Sequence, residues 1–329
     1  MALVKSLEKS RPKFSDLPLA PTDPPASAWG LWGDQDELGT LNLLTTDVVR
    51  SAAAEVTNGE TIPLNLPLDE FIQPMNPLRK PCSHHIIVKG HANDDELDIN
   101  TQGSSHWDGL RHYPYQESLK YYNGVTQEDI SGEELNFKVG IQNVSNYLAE
   151  KTITGRGVLL DWFSWAQKHG IEIDHFSRHE VPLEQVLEVV KQRGVEFIPG
   201  DILLIRTGWI PAYRALSPAA QVALSSRAIR TSCGIQASEA AIRWHWDNAF
   251  AAVASDTVAY EAWPSTKPYG LSMHEVFLSG WGMPIGESFD LEKLAAKCQK
   301  EGRWTFMFVS VPLDILGGVA SPPGAVAIF

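Results

Sequence analysis

Short apolar runs bounded by turn-forming residues recur along the chain. TIPLNLPL (61–68), HIIVKG (85–90), GVLLD (157–161), GDILLIRTG (200–208), AAVASD (251–256) and FMFVSVPL (306–313) are short and punctuated, and they predict strands. Between several of them the apolar positions recur at helical spacing. In PLEQVLEVVKQRG (182–194), Leu183, Val186, Leu187 and Val190 form one stripe and Gly194 supplies the stop. SPAAQVALSSRA (217–228), SEAAIRWHW (238–246) and DLEKLAAKCQ (290–299) follow the same pattern, with Ser217 and Asp290 as N-caps. VVRSAAAEV (48–56), preceded by Thr46, reads as one more capped helix. Strands interleaved with helices over the whole length predict an α/β chain around one sheet system.

Residues 1–28 carry Pro12, Pro18, Pro21, Pro24 and Pro25 and predict an irregular lead-in. No break in composition divides residues 29–329, which read as a single domain. With 43% apolar and 20% charged residues, the chain has the composition of a packed protein rather than a disordered one. Its formal charge of −13 repels phosphate backbones, and no Lys/Arg-rich run offsets it, so nucleic acid is excluded as a partner. Cys82, Cys233 and Cys298 lie far apart without a Cys-x-x-Cys pair, which argues against a disulfide framework or a zinc ribbon. Charges interrupt the first 15 residues, and no run approaches the ~18–20 apolar residues of a membrane span. These features predict a reduced, cytoplasmic protein that meets neither nucleic acid nor membrane.

The densest group of metal-capable side chains is NTQGSSHWDGLRHY, residues 100–113. Were 100–108 extended, Gln102, Ser104, His106 and Asp108 would share a face while Ser105 and Trp107 point the other way. His112 follows after Gly109, which can turn the chain back. Such imidazoles and a carboxylate suit Zn²⁺, Mn²⁺ or Fe²⁺, although His and Asp in a turn also serve as caps. A second segment, 271–294, carries His274 and Glu287 around Gly280, Gly282, Pro284 and Gly286. His274-Glu275 imitates the start of a zinc-protease helix, but Leu278 stands where its second His belongs. By spacing alone this pair reads as two caps flanking a glycine-rich loop.

QGSSHWDGLRH, GRGVLLD, GDILLIRTG and His274…GMPIGE together resemble the cyclase family of metal-dependent hydrolases, which includes kynurenine formamidases and isatin hydrolase. The likeness runs from WGLWG at 29 to the end, and the WDGLRH form with the closing GGVASPPGAVAIF is nearest the fungal branch. It implies a swivelling β/β/α fold with a mixed sheet core, a homodimer or homotetramer, and a metal-dependent hydrolase attacking an amide, cyclic imide or lactone carbonyl of a small aromatic or cyclic molecule. The family signature His-x-x-x-His-x-Asp-x-x-x-His implies metal roles for His106, Asp108 and His112, with the distal pair His274 and Glu287. Gln102 stands where the signature has its first His, which implies one divalent ion, zinc or manganese, and a substrate-facing Gln102. Asp108, His112 and Glu287 are the implied catalytic groups, the last two as ligands or as acid and base. A metal-free lyase, isomerase or cyclase using the same His/Glu chemistry is the alternative, and a binder without turnover a third reading.

No Gly-x-Ser-x-Gly elbow or Gly-x-Gly-x-x-Gly turn is present, which sets aside serine hydrolases and dinucleotide folds. Trp107, with Trp29, Trp32 and Trp281, is a candidate wall of an aromatic pocket, or packs in the core as tryptophans commonly do. Arg206 is a candidate partner for an anionic substrate, or for Asp201 or Asp256. Asp161 and Asp256 end apolar strands and either orient a ligand His or cap the next turn. Arg156 reads as a turn residue, and the adjacent His84 and His85 face opposite sides of a strand.

Overall fold

The computed structural model describes residues 11–131, 152–315 and 317–329. In chain order its strands are β1 (Thr61–Pro63), β2 (Ser83–Val88), β3 (Asn93–Asp98), β4 (His106–Asp108), β5 (Ile153–Asp161), β6 (Glu180–Val181), β7 (Ile202–Arg206), β8 (Gly234–Ile235), β9 (Ala252–Ser255), β10 (Ile285–Glu287), β11 (Thr305–Ser310), β12 (Ala320–Ser321) and β13 (Ala325–Ile328). Nine of them form one curled mixed sheet in the order β1-β13-β11-β5-β7-β9-β10-β4-β12. Its centre, β5-β7-β9-β10, is parallel, and antiparallel strands flank it on both sides. This is the mixed α/β architecture that the sequence led us to expect.

Burial on both faces explains why the central runs are apolar throughout rather than alternating. Val158, Leu160, Leu203, Ile205 and Val253 pack on one face with Trp162, Val186, Trp246 and Phe277. Leu159, Leu204, Ala252 and Ala254 pack on the other with Trp107, Phe289, Phe306 and Phe308. The 61–68 run gives only three strand residues, since Pro63 and Pro67 offer no N–H to a ladder. HIIVKG forms β2 of a separate hairpin with β3, where Ile86 and Val88 are exposed rather than packed in the core.

The helices follow the sequence closely, with local shifts. Leu183–Arg193 ends at Gly194, whose φ of +63° is the left-handed conformation that glycine adopts without strain. Its buried stripe is Leu183, Val186 and Val189, and Leu187 faces outward instead. Thr45, not Thr46, caps the helix Thr46–Ala52, accepting from Val48 N at 3.3 Å. Ser217 caps Pro218–Ser225 as expected. The helix Glu292–Glu301 starts after Leu291, and Asp290 Oδ1 accepts from Glu292 N at 3.3 Å.

One close approach fixes the strand that carries the site. Gly286 on β10 pairs with Ala254 on one side and Trp107 on the other. A Cβ there would lie 2.6 Å from Ala254 Cβ and 2.7 Å from Phe289, so the two neighbours close up only around glycine.

Candidate metal centre

Strand alternation on β4 splits the HWD triplet. His106 and Asp108 turn to one side, and Trp107 goes into the core. There its ring centroid lies 5.1 Å from Phe289 and its Nε1 donates to Ser310 Oγ at 2.9 Å. The expectation that Trp107 walls a pocket is therefore corrected, and Trp281 is likewise fully buried. Glu287 pairs with His106 across the β10–β4 ladder, which brings its carboxylate to the same side. His274 precedes a π-helix, Glu275–Trp281, so the segment read as a glycine-rich loop is a buried helix followed by a strand.

One ligand atom from each of His106, Asp108 and Glu287 lies within 4.8 Å of the other two. His106 Nε2 is 3.4 Å from Asp108 Oδ1 and 3.3 Å from Glu287 Oε2. His274 Nε2 is 3.1 Å from Glu287 Oε1 and 3.9 Å from Asp108 Oδ2. Both rings are oriented from behind. His106 Nδ1 donates to Ser104 O at 2.7 Å, and His274 Nδ1 donates to Glu261 Oε1 at 2.8 Å. Each Nε2 lone pair therefore aims at the centre, the arrangement a metal-binding histidine adopts.

His106 Nε2 and Asp108 Oδ2 are buried without a hydrogen bond among the described residues. Buried polar atoms are ordinarily paired, so these two point to a partner from outside the chain. The charges agree. Burial opposes a proton on His106, yet Asp108 and Glu287 outweigh it and push the pKa up to about 9. Burial opposes one on His274 too, but Glu261 and Glu287 hold it well above the imidazole range. Burial would raise Asp108, but His112 and His106 hold it below the ordinary carboxylate range. The centre favours positive charge between two carboxylates and two imidazoles, and a divalent cation meets that preference by displacing protons. The residues present fit one such ion.

Gln102 arrives by a different route from the one the sequence suggested. Only 106–108 is strand, and a turn through Asn100–Gly103 carries Gln102 inward. Its amide Nε2 donates to Asp108 Oδ1 at 2.6 Å and lies 3.2 Å from His112 Nδ1. His112 returns through a turn closed by its N–H to Gly109 O, and its Nε2 stands 3.6 Å from Asp108 Oδ2. Burial lowers the His112 pKa, which keeps that ring neutral near pH 7. A cavity of about 210 Å³ opens on His106, His112, His274, Glu287 and Gln102, with Phe71, Tyr113 and Trp263 along it.

A family model described as "Putative cyclase" matches residues 39–262, more than half of the chain. The chain belongs to the cyclase family. A crystal structure described as a novel cyclase is 29% identical, covers 92% of this chain and 99% of its own, and superposes with a TM-score of 0.78. Isatin hydrolase A from Labrenzia aggregata, bound to benzyl benzoate, is 17% identical over 88% of this chain and 98% of its own, at TM-score 0.57. Isatin hydrolase A from Ralstonia solanacearum is 16% identical over 87% and 96%, at 0.53. At those identities the two hydrolases speak to the fold of this cyclase-family chain. No curated protein matches it in sequence. Among the described residues, no helix is long and apolar enough to cross a membrane.

In this cyclase-family chain Arg206 lies away from the cavity, which corrects the substrate reading and leaves the structural one, with Asp161 and Glu292 in place of Asp201 or Asp256. It donates to Asp161 Oδ1 at 2.9 Å and to both Glu292 oxygens at 2.7 Å, so its charge is spent on structure. Asp161 caps the helix Trp162–Lys168, and Asp256 accepts from Thr207, Gly208 and Trp209 N, so neither orients a ligand histidine. Arg156 is a strand residue paired with Asp201 rather than part of a turn. His84 and His85 sit on the exposed hairpin. Glu261, which orients His274, and Trp263, 5.8 Å from the His274 ring, went unrecognised in the sequence. EAW (261–263) makes only isolated bridges, to Ile235 and Ser232, and carries no periodic or motif signal.

Proposed function

We propose that this cyclase-family chain is a metal-dependent hydrolase of amide, cyclic imide or lactone bonds in a small aromatic or cyclic molecule. In this reading His106, Asp108, His274 and Glu287 hold one divalent ion, zinc or manganese. The supporting observation is the pair of buried, unbonded ligand atoms, His106 Nε2 and Asp108 Oδ2, facing Glu287 and a His274 ring fixed from behind. When bound, the ion supplies positive charge to polarise a carbonyl and to acidify water.

The protein residues divide the remaining work. His112 faces the cavity, is kept neutral by burial, and lies against the Gln102 amide, so it is the group that takes a proton and returns it to the leaving atom. Gln102 donates to Asp108 and thereby holds that carboxylate and the His112 ring in register. Phe71, Tyr113 and Trp263 line the cavity with aromatic rings, the last two at 84° to one another, which suit edge and face contacts with a planar ring. The isatin hydrolases of the same fold support the cyclic-amide part of this reading.

Protein purified without chelator should carry a stoichiometric divalent ion by elemental analysis, and His106→Ala with His274→Ala should lose nearly all of it. Full metal retention in the double variant overturns the assignment. Turnover of ring amides and lactones that survives exhaustive chelation would favour the metal-free lyase or isomerase alternative instead.

A further inference from the structure

The cavity wall carries two cations that no carboxylate neutralises among the described residues. Arg79 and Arg230 both line the cavity, together with Asn76 and the aromatic residues. Arg79 Nη1 donates to Gln102 O at 2.9 Å, which anchors the guanidinium beside the centre without using up its charge. Arg230 is exposed at the cavity and makes no hydrogen bond or ion pair among the described residues. Arg11, Arg193 and Arg227 also lack a carboxylate partner among the described residues, but they do not line this cavity, so Arg79 and Arg230 are where unpaired positive charge meets it. Arg156, Arg206, Arg214 and Arg303 each pair with a carboxylate. The positive charge of Arg79 is also felt at His112, whose proton affinity it lowers after burial and His274 have done so.

A guanidinium presents a planar fork of N–H donors that matches a carboxylate, and in a partly desolvated cavity such a pair is stronger than in water. The aromatic residues fit a ring, and the forks fit an acid attached to it. We infer that Arg79 and Arg230 form a carboxylate-binding subsite, so that the molecule this cavity takes is a planar aromatic acid rather than a neutral ring. This deepens the hydrolase reading and rests on it for the reaction, while the recognition rests on the arginines alone.

The probes are benzoate and its neutral isostere benzamide, titrated calorimetrically into the full chain as purified and again after chelation, with metal content measured in each sample. Benzoate should bind at least tenfold more tightly than benzamide in both preparations. Arg79→Gln with Arg230→Gln should bring that ratio close to one, with metal content unchanged. Arg230→Gln alone, at an exposed position without partners, should fold normally and lose part of the ratio, which keeps the test open should the double variant misfold. Equal binding of the two probes, or a preference that survives in the double variant, overturns the inference. A preference that vanishes on chelation but ignores the arginines also overturns it, because the metal is then what reads the carboxylate. A chain that carries no metal as purified, before any chelation, yet shows the arginine-dependent preference refutes the hydrolase reading and leaves this inference standing.

Discussion

Two buried clusters of charged residues sit on the same sheet, and they differ in whether their polar atoms close on one another. Near the ends of β5 and β7, the Arg206 guanidinium is clasped by Asp161 and Glu292, and Asp256 accepts three backbone N–H groups and the Thr207 hydroxyl. Every charge there has its counterpart inside the chain. Across β4 and β10, two carboxylates and two imidazoles meet with no Arg or Lys among them, and two of their atoms have no hydrogen bond among the described residues. Burial and charge alone do not mark a functional site, since both clusters have them. The mark is two unmet ligand atoms converging on one point, since an unmet buried polar atom costs about 1–3 kcal/mol and single ones, such as Trp209 Nε1 and Tyr213 Oη, also occur elsewhere in the chain.

The largest effect that would test this contrast comes from opening the closed cluster. Arg206→Met leaves Asp161 and Glu292 without their cation, and breaking a buried pair from one side costs about 3–5 kcal/mol. Urea unfolding should register that loss, while elemental analysis finds the metal content unchanged. Metal lost in step with stability would mean that the two clusters are one cooperative unit and that the contrast is false.

A third buried group closes without any charge. His245 donates from Nδ1 to Ala241 O at 2.7 Å, and its Nε2 meets the Tyr260 hydroxyl at 2.8 Å. Burial lowers its pKa from 6.5 to about 4, and the Ala241 bond only partly offsets this. The unfolded chain therefore binds more protons than the folded one between those values. The stability this group contributes is complete above pH 6.5 and drains away as pH falls toward 4, by up to about 3 kcal/mol. His245→Gln should flatten this part of the stability profile, measured as Tm from pH 7 to 4.5 against wild type. An unchanged slope would assign the acid loss to other groups.

The sequence carried the frame of the molecule better than its contacts. The central strands were legible as strands because burial on both faces demands unbroken apolar runs such as ILLI, though not their parallel direction, and the helix at 183–193 because Gly194 ends it cleanly. The family likeness singled out His106, Asp108, His274 and Glu287, which the fold brings together, whereas spacing alone left caps as an equal or better reading. What failed was partner choice. Arg206 and Trp107 are residue types that serve substrates and cores equally well, and only the register of β4 against β10 and the fold of 292–301 decide between them. Glu261 was silent because its role depends on the turn that brings Met273 and His274 N–H groups over its two oxygens.

Glu261 gives the finest test of the open cluster, because it is paired on one side and acts on the unpaired side through His274. One oxygen takes His274 Nδ1–H at 2.8 Å and His274 N–H at 3.0 Å, and the other takes Met273 N–H at 3.0 Å. Glu261→Gln keeps the size but forces an NH₂ against either Met273 N–H or the His274 ring, and it removes the charge that makes His274 a better donor. Changes of this kind behind a ligand histidine cost about 10–100-fold in metal affinity. Glu275 is the matched control: equally buried and next to His274, its carboxylate is occupied by Ser272, Lys267 and Gln116 N. Competition with a chelator should therefore show weakened metal binding in Glu261→Gln and near wild-type binding in Glu275→Gln. Equal losses in both would mean that any disturbance of this helix start releases the metal, and the hydrogen bond to His274 Nδ1 would have no special part in holding it.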